Sequence, residues 1–249
     1  MRRKGAVAAV VVAGGTGTRA AGADGLPKQY RVVAGRAVVA HTLAAFLDHP
    51  RIDRVVTVIH PDHAALYADA TAALAGDSRL APPVVGGATR QASVFAGLEA
   101  LADFDPDLVL VHDAARPFVS AAVLDRTIAA LAAADAVLVA VPLVDTLKKA
   151  DESDRVVATV SRDGMWAAQT PQGFHYGALR RAHARAAAEG RHDFTDDSAV
   201  AEWAGMSVTL VEGERGNVKI TTAEDLVEAE TRMTIDRFAA LADIRVGAG

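Results

Sequence analysis

The chain contains no cysteine, which excludes disulfide bonds and thiolate zinc sites. No run approaches the roughly twenty apolar residues of a membrane-spanning helix, and the apolar stretch 6–13 ends in glycines without a signal-peptide cleavage site. The net charge is −5 and no basic stripe is present, which argues against nucleic acid as the main partner. From these absences we expect a soluble, cytoplasmic protein that does not associate with a membrane.

The chain has 249 residues, and 51% of them are hydrophobic, which is enough to form a complete hydrophobic core. Continuous apolar runs alternate with alanine-rich helical stretches, which is typical of strands buried on both faces of a parallel sheet. We therefore predict an α/β fold: a Rossmann-like, doubly wound, mostly parallel sheet with helices on both faces. The predicted strands are 6–13, 55–59, 108–111, 136–142 and 208–211, and the predicted helices are 38–47, 64–74, 91–101, 121–133, 177–189 and 222–238.

Residues 143–159 break this alternation, because they are more polar and carry the turn cluster Asp-Glu-Ser-Asp at 151–154. The pattern predicts a protruding β-hairpin arm at about 143–160. A two-stranded hairpin is marginally stable alone, so we expect the arm to pack on a second copy of the chain. An ordinary surface hairpin is the alternative.

The first apolar run leads into a glycine-rich turn at 13–17, and the cations Arg19 and Lys28 follow. Glycines at a strand end let backbone N–H groups approach a phosphate or a base, and cations neutralise a polyphosphate. A P-loop does not fit, because Thr18-Arg19 stands where Lys-Ser/Thr is required. A dinucleotide fingerprint fits weakly, since the usual acid about twenty residues later is missing. A turn without a ligand is disfavoured by the two cations.

The segment VLVHDAARP places Asp113 and Arg116 just after a buried strand, at the edge where open α/β sheets bind ligands. Beside a polyphosphate, Asp113 would bind Mg²⁺ directly or through water, and Arg116 would contact a second phosphate. An Asp–Arg ion pair that closes a turn is the structural alternative. We predict that His112 is a hydrogen-bonded structural histidine rather than a base.

A second glycine turn, at 86–89, opens a helix whose N–H groups can hold an anion or a base carbonyl, and Ser93 would add a hydroxyl. Taken alone, this turn is better explained as a plain capped helix start. Three other polar segments contain Arg162, Thr170 and Thr195, and each of them could also be an ordinary loop. Lys219 lies in a short strand-like run before a helix, and it could also be a solvated surface lysine. Cations and one acid around a glycine loop are the equipment of phosphoryl and nucleotidyl transfer.

Nine motifs occur in order between Val10 and Thr222: AGGTGTR, PKQY, GGATRQAS, VHDAARP, PLVDTLK, SRDGMW, QTPQGF, FTDDS and VEGERGNVKIT. Together they resemble the 2-C-methyl-D-erythritol 4-phosphate cytidylyltransferase family of non-mevalonate isoprenoid biosynthesis. The resemblance implies that the phosphate of methylerythritol phosphate attacks the α-phosphorus of CTP and releases pyrophosphate. It also implies Mg²⁺ or another divalent cation as cofactor, and a homodimer in which the arm crosses to the partner.

The resemblance further implies a role for each matching residue. Arg19 and Lys28 would stabilise the pentavalent transition state and the leaving pyrophosphate, with Lys219 near the α-phosphate. The nucleotide would be held by Ala13, Gly14, Gly15, Thr16, Gly17, Gly87, Ala88, Ser93 and Asp113, the last also as a metal ligand. Methylerythritol phosphate would be held by Arg116, Thr146, Arg162, Thr170, Thr195 and Lys219. Thr146 and Arg162, on the arm, would serve the neighbouring subunit's site.

Two positions depart from the family pattern. Val12 stands where proline or leucine often occurs, and Ala88 stands where some members have an acid, which removes a side-chain contact to cytosine but leaves backbone contacts. Residues 242–249 resemble the opening strand of methylerythritol cyclodiphosphate synthase. We therefore assign a cytidylyltransferase domain to 1–231 and a helix end and linker to 232–249, leading to a fused second domain. A frayed tail is the alternative.

Two other functions stay open. A nucleotidyltransferase for another polyol or sugar phosphate, such as ribitol phosphate, would share the fold and the loop and would differ at Thr146, Arg162 and Thr195. A non-catalytic nucleotide-binding module is disfavoured, because the three cations Arg19, Lys28 and Lys219 are all present.

Overall fold

The computed structural model describes residues 5–15 and 25–246, the last eight of these by their backbone alone. Its strands are Val7–Ala13 (β1), Val32–Val33 (β2), Arg36–Ala37 (β3), Arg54–Ile59 (β4), Val84–Val85 (β5), Leu108–Asp113 (β6), Ala136–Pro142 (β7), Leu147–Ala150 (β8), Val156–Val160 (β9), Trp166–His175 (β10) and Val208–Glu212 (β11). Its α-helices are Val38–Leu47 (α1), Ala64–Thr71 (α2), Arg90–Glu99 (α3), Ala121–Ala130 (α4), Tyr176–Ala188 (α5), Asp197–Trp203 (α6) and Ala223–Val246 (α7). No helix in these ranges combines the length and the apolar character needed to cross a bilayer.

Seven strands form one sheet in the order β11-β7-β10-β6-β1-β4-β5. The pairs β1–β4, β1–β6, β4–β5 and β7–β11 are parallel, whereas β10 runs antiparallel between β6 and β7. The predicted doubly wound, mostly parallel sheet is thus confirmed, and each of the five predicted strands is present in it.

The central strand β1 explains why the sequence is so uniformly apolar there. Side chains alternate between the two faces of a strand. Val7 and Val11 pack in one core cluster with Phe46 of α1, whereas Ala8 and Val10 pack in another with side chains of α3 and α5. Because both faces are buried, β1 shows no alternation of polar and apolar residues.

The strand β10 was not predicted from the sequence, and the loop alternative for its polar residues is wrong. Gln169, Thr170 and Gln172 are buried inside the sheet. Pro171 has no N–H to donate, so a proline in this position argues against a central strand. The structure accommodates it at an irregularity, where the pairing register with β7 shifts between Ala168 and Gln172.

The chain order creates a crevice beside β1. From β1 the chain passes to β4 on one side and later to β6 on the other, so the connections leave the sheet in opposite directions. Ligands bind in open α/β sheets at such a switch point, outside the carboxyl ends of the strands. Val12 pairs with Asp113 across this edge, which places the end of β6 next to the first glycine turn.

The arm and the last helix extend beyond the sheet. The strands β8 and β9 form a separate antiparallel hairpin, as predicted, and Val156 and Val157 on it are exposed. The helix α7 packs through Ala229 against Val33 and Ile220. It continues to Val246 instead of ending near residue 238, because neither glycine nor proline interrupts the sequence there.

We expect Gly97→Ala to destabilise the fold. A Cβ on Gly97 would lie 2.5 Å from Val10 Cγ1 and 2.8 Å from Val58 Cγ2, inside the packed core between α3 and the sheet. Overpacking should outweigh the gain in helix propensity and lower the free energy of unfolding by about 1–2 kcal/mol. Urea denaturation measures this. The control Gly76→Ala, where no atom lies within 4 Å, should change it by less than about 0.5 kcal/mol; equal effects would refute the packing argument.

Candidate active site

A cavity of about 540 Å³ opens at the carboxyl ends of β1 and β6, at the switch point of the sheet. Its volume is in the range of small-molecule sites. Nine residues predicted from the sequence line it: Ala13, Gly14, Gly15, Lys28, Gly87, Ala88, Ser93, Asp113 and Lys219. Of the other predicted nucleotide and catalytic residues, Thr16, Gly17 and Arg19 lie outside the described residues. The structure therefore brings together the glycine turns, two lysines and the acid.

The backbone of the first glycine turn is held by hydrogen bonds from Gln29, a residue that was not predicted to belong to the site. The buried Gln29 donates from Nε2 to the backbone oxygens of Ala13, at 2.9 Å, and Gly15, at 2.8 Å. Gln29 lies in a short 3₁₀ turn, Lys28–Tyr30, next to Lys28 itself. One turn thus fixes both the glycine backbone and the position from which Lys28 enters the cavity.

The second glycine turn meets the start of α3 at very short range. A Cβ on Gly87 would lie 2.5 Å from Ala92 Cβ, so the turn tolerates no side chain there. Thr89 caps the helix by accepting from the Ala92 N–H. The Ser93 hydroxyl donates to the Thr89 carbonyl at 2.9 Å, which leaves its oxygen lone pairs for a ligand.

Asp113 lies between two cations. Its Oδ1 is 3.3 Å from Arg90 Nε, and its Oδ2 is 2.6 Å from Lys219 Nζ. Burial raises the pKa of Asp113, but the charges of Arg90 and Lys219 outweigh burial and hold that pKa far below its ordinary value. The carboxylate is therefore ionised near neutral pH. Arg90 was not predicted as a site residue, although it lies in the quoted motif GGATRQAS.

The residues of the cavity fit a Mg²⁺ ion that is held mainly by a bound nucleotide rather than by the protein. Asp113 is the one carboxylate among the described residues that line it, and no group of three or more His, Asp or Glu residues within the described ranges could hold a metal. Mg²⁺ is commonly bound by one or two carboxylates, water and substrate phosphates. Because Arg90 and Lys219 each contact one oxygen of Asp113, the chain fits an ion held mainly by the phosphates of a nucleotide.

His112 is a structural residue, as predicted. Burial lowers its pKa to about 4, so the ring is neutral near pH 7. Its Nε2 lies 3.0 Å from the Arg116 carbonyl and therefore donates, which makes Nδ1 the acceptor. Thr170 Oγ1, at 2.9 Å, donates to this Nδ1 and accepts from the Asp113 N–H. The hydroxyl of Thr170 is thus oriented from both sides, one hydrogen bond away from Asp113.

Apart from Lys219, the predicted substrate residues, including Thr170, lie outside the described lining of the cavity. Arg116 does not form the ion pair with Asp113 that was the structural alternative. Its Nη1 donates to the carbonyl of Asn217 at 2.7 Å instead, and burial lowers its pKa. Thr146 and Arg162 are exposed on or beside the arm, and Thr195 is exposed in the loop before α6. The roles assigned to these residues stay predictions.

Comparisons with known proteins agree with the geometry. The family model described as IspD: 2-C-methyl-D-erythritol 4-phosphate cytidylyltransferase matches residues 7–235. The chain is 50% identical over 242 residues to the bifunctional enzyme IspD/IspF of Nitrobacter winogradskyi, covering 97% of this chain and 58% of that protein. A protein of the same description from Rhodopseudomonas palustris is 50% identical over 249 residues, covering 100% and 60%. The chain thus spans about three-fifths of the length of these relatives.

Solved structures give the same result. The 4-diphosphocytidyl-2C-methyl-D-erythritol synthase of Anaerococcus prevotii superposes with a TM-score of 0.78 at 33% identity, covering 92% of this chain and 96% of that one. The 2-C-methyl-D-erythritol 4-phosphate cytidylyltransferase of Thermus thermophilus gives 0.71 at 36% identity, covering 90% and 98%. By sequence and fold, the chain belongs to the 2-C-methyl-D-erythritol 4-phosphate cytidylyltransferase family.

Proposed function

We propose that the chain transfers the cytidylyl group of CTP to 2-C-methyl-D-erythritol 4-phosphate. A phosphate oxygen of the acceptor forms a bond to the α-phosphorus of CTP, and the bond to the bridging oxygen breaks, releasing pyrophosphate. The observation that carries this proposal is the meeting of two glycine turns, Lys28, Lys219 and Asp113 in one cavity of a chain that belongs to this family.

The chain's own contribution is positioning and charge. Backbone N–H groups of the two glycine turns bind the base and the triphosphate. Lys28 and Lys219 stabilise the negative charge that grows on the α-phosphate and the leaving pyrophosphate, and Arg19 is proposed to assist them. Mg²⁺, held mainly by the phosphates near Asp113, would neutralise part of the triphosphate charge. Mg²⁺ as cofactor and a cytoplasmic location stay predictions.

Thr170 is buried and does not line the cavity as described, but its hydrogen bonds decide which group of an acceptor would suit it. Because its only hydrogen is donated to His112, the Thr170 oxygen can accept from a ligand but cannot donate to one. An ionised phosphate accepts only, whereas a polyol hydroxyl can donate. Thr170 is therefore suited to a hydroxyl of the polyol rather than to the phosphate.

We also propose a homodimer and a second domain. The exposed valines of the arm need a partner surface, and a lone hairpin is marginally stable. The relatives named IspD/IspF favour a fused domain after residue 249, and reading the gene past Gly249 tests that part. An immediate stop codon would refute the fusion.

The function is tested by pyrophosphate release with a panel of nucleoside triphosphates and polyol phosphates. We expect CTP with methylerythritol phosphate to give kcat/KM at least about a hundredfold above any other pair, since the site discriminates by fitted polar contacts. Preferred turnover with ribitol phosphate would refute the proposed acceptor and favour the other nucleotidyltransferase. No turnover with any pair would refute catalysis.

Replacing Lys28 by alanine should affect the rate more than binding. A charge that acts mainly in the transition state lowers kcat when it is lost, here by about a hundredfold or more. The dissociation constant for CTP, measured by calorimetry, should rise less than about tenfold, because the backbone contacts remain. Equal losses in kcat and CTP affinity would show that Lys28 acts in the ground state.

Replacing Arg162 by alanine should raise KM for methylerythritol phosphate roughly tenfold, which is the effect of losing one charge-assisted hydrogen bond. The KM for CTP should stay unchanged. If the arm serves the neighbour's site, co-expressed Lys28→Ala and Arg162→Ala chains, assayed with methylerythritol phosphate far below its KM, should show about one quarter of wild-type activity, since half of the dimers are mixed and each has one intact site. Either variant alone is the control. Absence of recovery would place Arg162 in its own chain's site.

A further inference from the structure

A row of alternating charges leads from the cavity into the core beneath it. Lys219 contacts Asp113, Asp113 contacts Arg90, and Arg90 Nη1 lies 2.7 Å from Asp197 Oδ2. Asp197, the first residue of α6, then contacts His183 Nε2 at 3.1 Å through its other oxygen. The site therefore does not end at the cavity wall, and Arg90 is the link between its acid and a second acid behind it.

The second acid is firmly fixed. The side chain of Asp197 is 1% exposed, and its backbone N–H donates to Gln172 Oε1 at 3.0 Å. Gln172 also donates to Asp196, which caps α6. A buried carboxylate held in this way has one orientation, so it holds the guanidinium of Arg90 in one orientation as well.

This arrangement decides what Lys219 can do. Its side chain is 39% exposed, lines the cavity and is paired with Asp113 at 2.6 Å. A phosphate that binds Lys219 competes with Asp113 for the charge of the same ammonium, and a buried carboxylate that loses its cation is costly. Arg90 stays with Asp113 when the lysine turns to the phosphate. Without Arg90, Asp113 would depend on Lys219 alone and would retain it.

We propose that Arg90 is a positioning residue, which keeps Asp113 paired and so makes the Lys219 ammonium available to a substrate phosphate in the cavity. Arg90 acts through Asp113, and Asp197 keeps it there. The proposal rests on the proposed function, which makes Lys219 a phosphate ligand, and extends it to Arg90 in the cavity wall and Asp197 behind it.

The test removes Arg90 without leaving a buried charge. Arg90→Met alone would strand Asp197 and could unfold the chain, whereas Arg90→Met with Asp197→Asn removes one cation and one anion, so the net charge is unchanged. The matched control is Arg180→Met with Glu99→Gln, which removes an exposed ion pair of 2.6 Å outside the cavity. Thermal unfolding of both pairs reports whether they fold.

The probe is inorganic phosphate, titrated by calorimetry into the full chain without nucleotide. We expect the Arg90/Asp197 pair to weaken phosphate binding at least fivefold and the control pair to leave it unchanged. Adding Asp113→Asn to the Arg90/Asp197 pair should restore affinity to within about twofold of wild type, because Lys219 is then no longer retained. A purely structural role would not show this restoration.

Three results would overturn the proposal: unchanged phosphate affinity in the folded Arg90/Asp197 pair, weakening that Asp113→Asn does not reverse, and equal weakening in the control. Arg90→Lys provides a second variant, since lysine keeps the charge but cannot reach both carboxylates as the guanidinium does; wild-type phosphate binding there would also overturn it. The readout needs no turnover. A chain that binds phosphate as expected but does not use methylerythritol phosphate would refute the proposed function and leave this inference standing.

Discussion

The site depends on one buried carboxylate with a cation on each side. Asp113 stands at the carboxyl end of β6, and it forms ion pairs with Arg90, 23 residues before it, and with Lys219, 106 residues after it. Its charge orders two cations, and the cations keep it ionised in a largely buried place. The glycine turns supply the neighbouring surface, where backbone rather than side chains can approach a nucleotide.

The sheet makes this arrangement possible. Because β1 lies between β4 and β6, the two glycine turns and Asp113 all lie on the side of the sheet where the parallel strands have their carboxyl ends. Close packing fixes the distances between them: Gly97 brings α3 against the sheet, and Gln29 ties the first turn to the segment of Lys28. The candidate site is thus built on the packed sheet and its loops, whereas the arm and α7 extend away from the sheet.

Much of the fold and part of the site could be predicted from the sequence. The strands β1, β4, β6 and β7 are largely apolar because both their faces are buried, whereas β11, at the end of the sheet, is largely exposed. Glycines next to cations indicated the nucleotide site. The strand β10 could not be predicted, because it contains a proline and buried polar side chains. Those polar side chains find their hydrogen-bond partners in segments that are distant along the chain. Gln29 and Arg90 both lie inside quoted motifs, but only the folded chain shows which carbonyl or carboxylate each one contacts.

The central claim is that a triphosphate binds between the two glycine turns with its α-phosphate facing the lysines. A crystal structure of the chain with CTP tests it most directly. The account predicts cytosine at the Gly87–Ser93 turn, and the α-phosphate within hydrogen-bond distance of Lys28 or Lys219. A nucleotide bound anywhere else, or bound in this cavity with its phosphates turned away from both lysines, would contradict it.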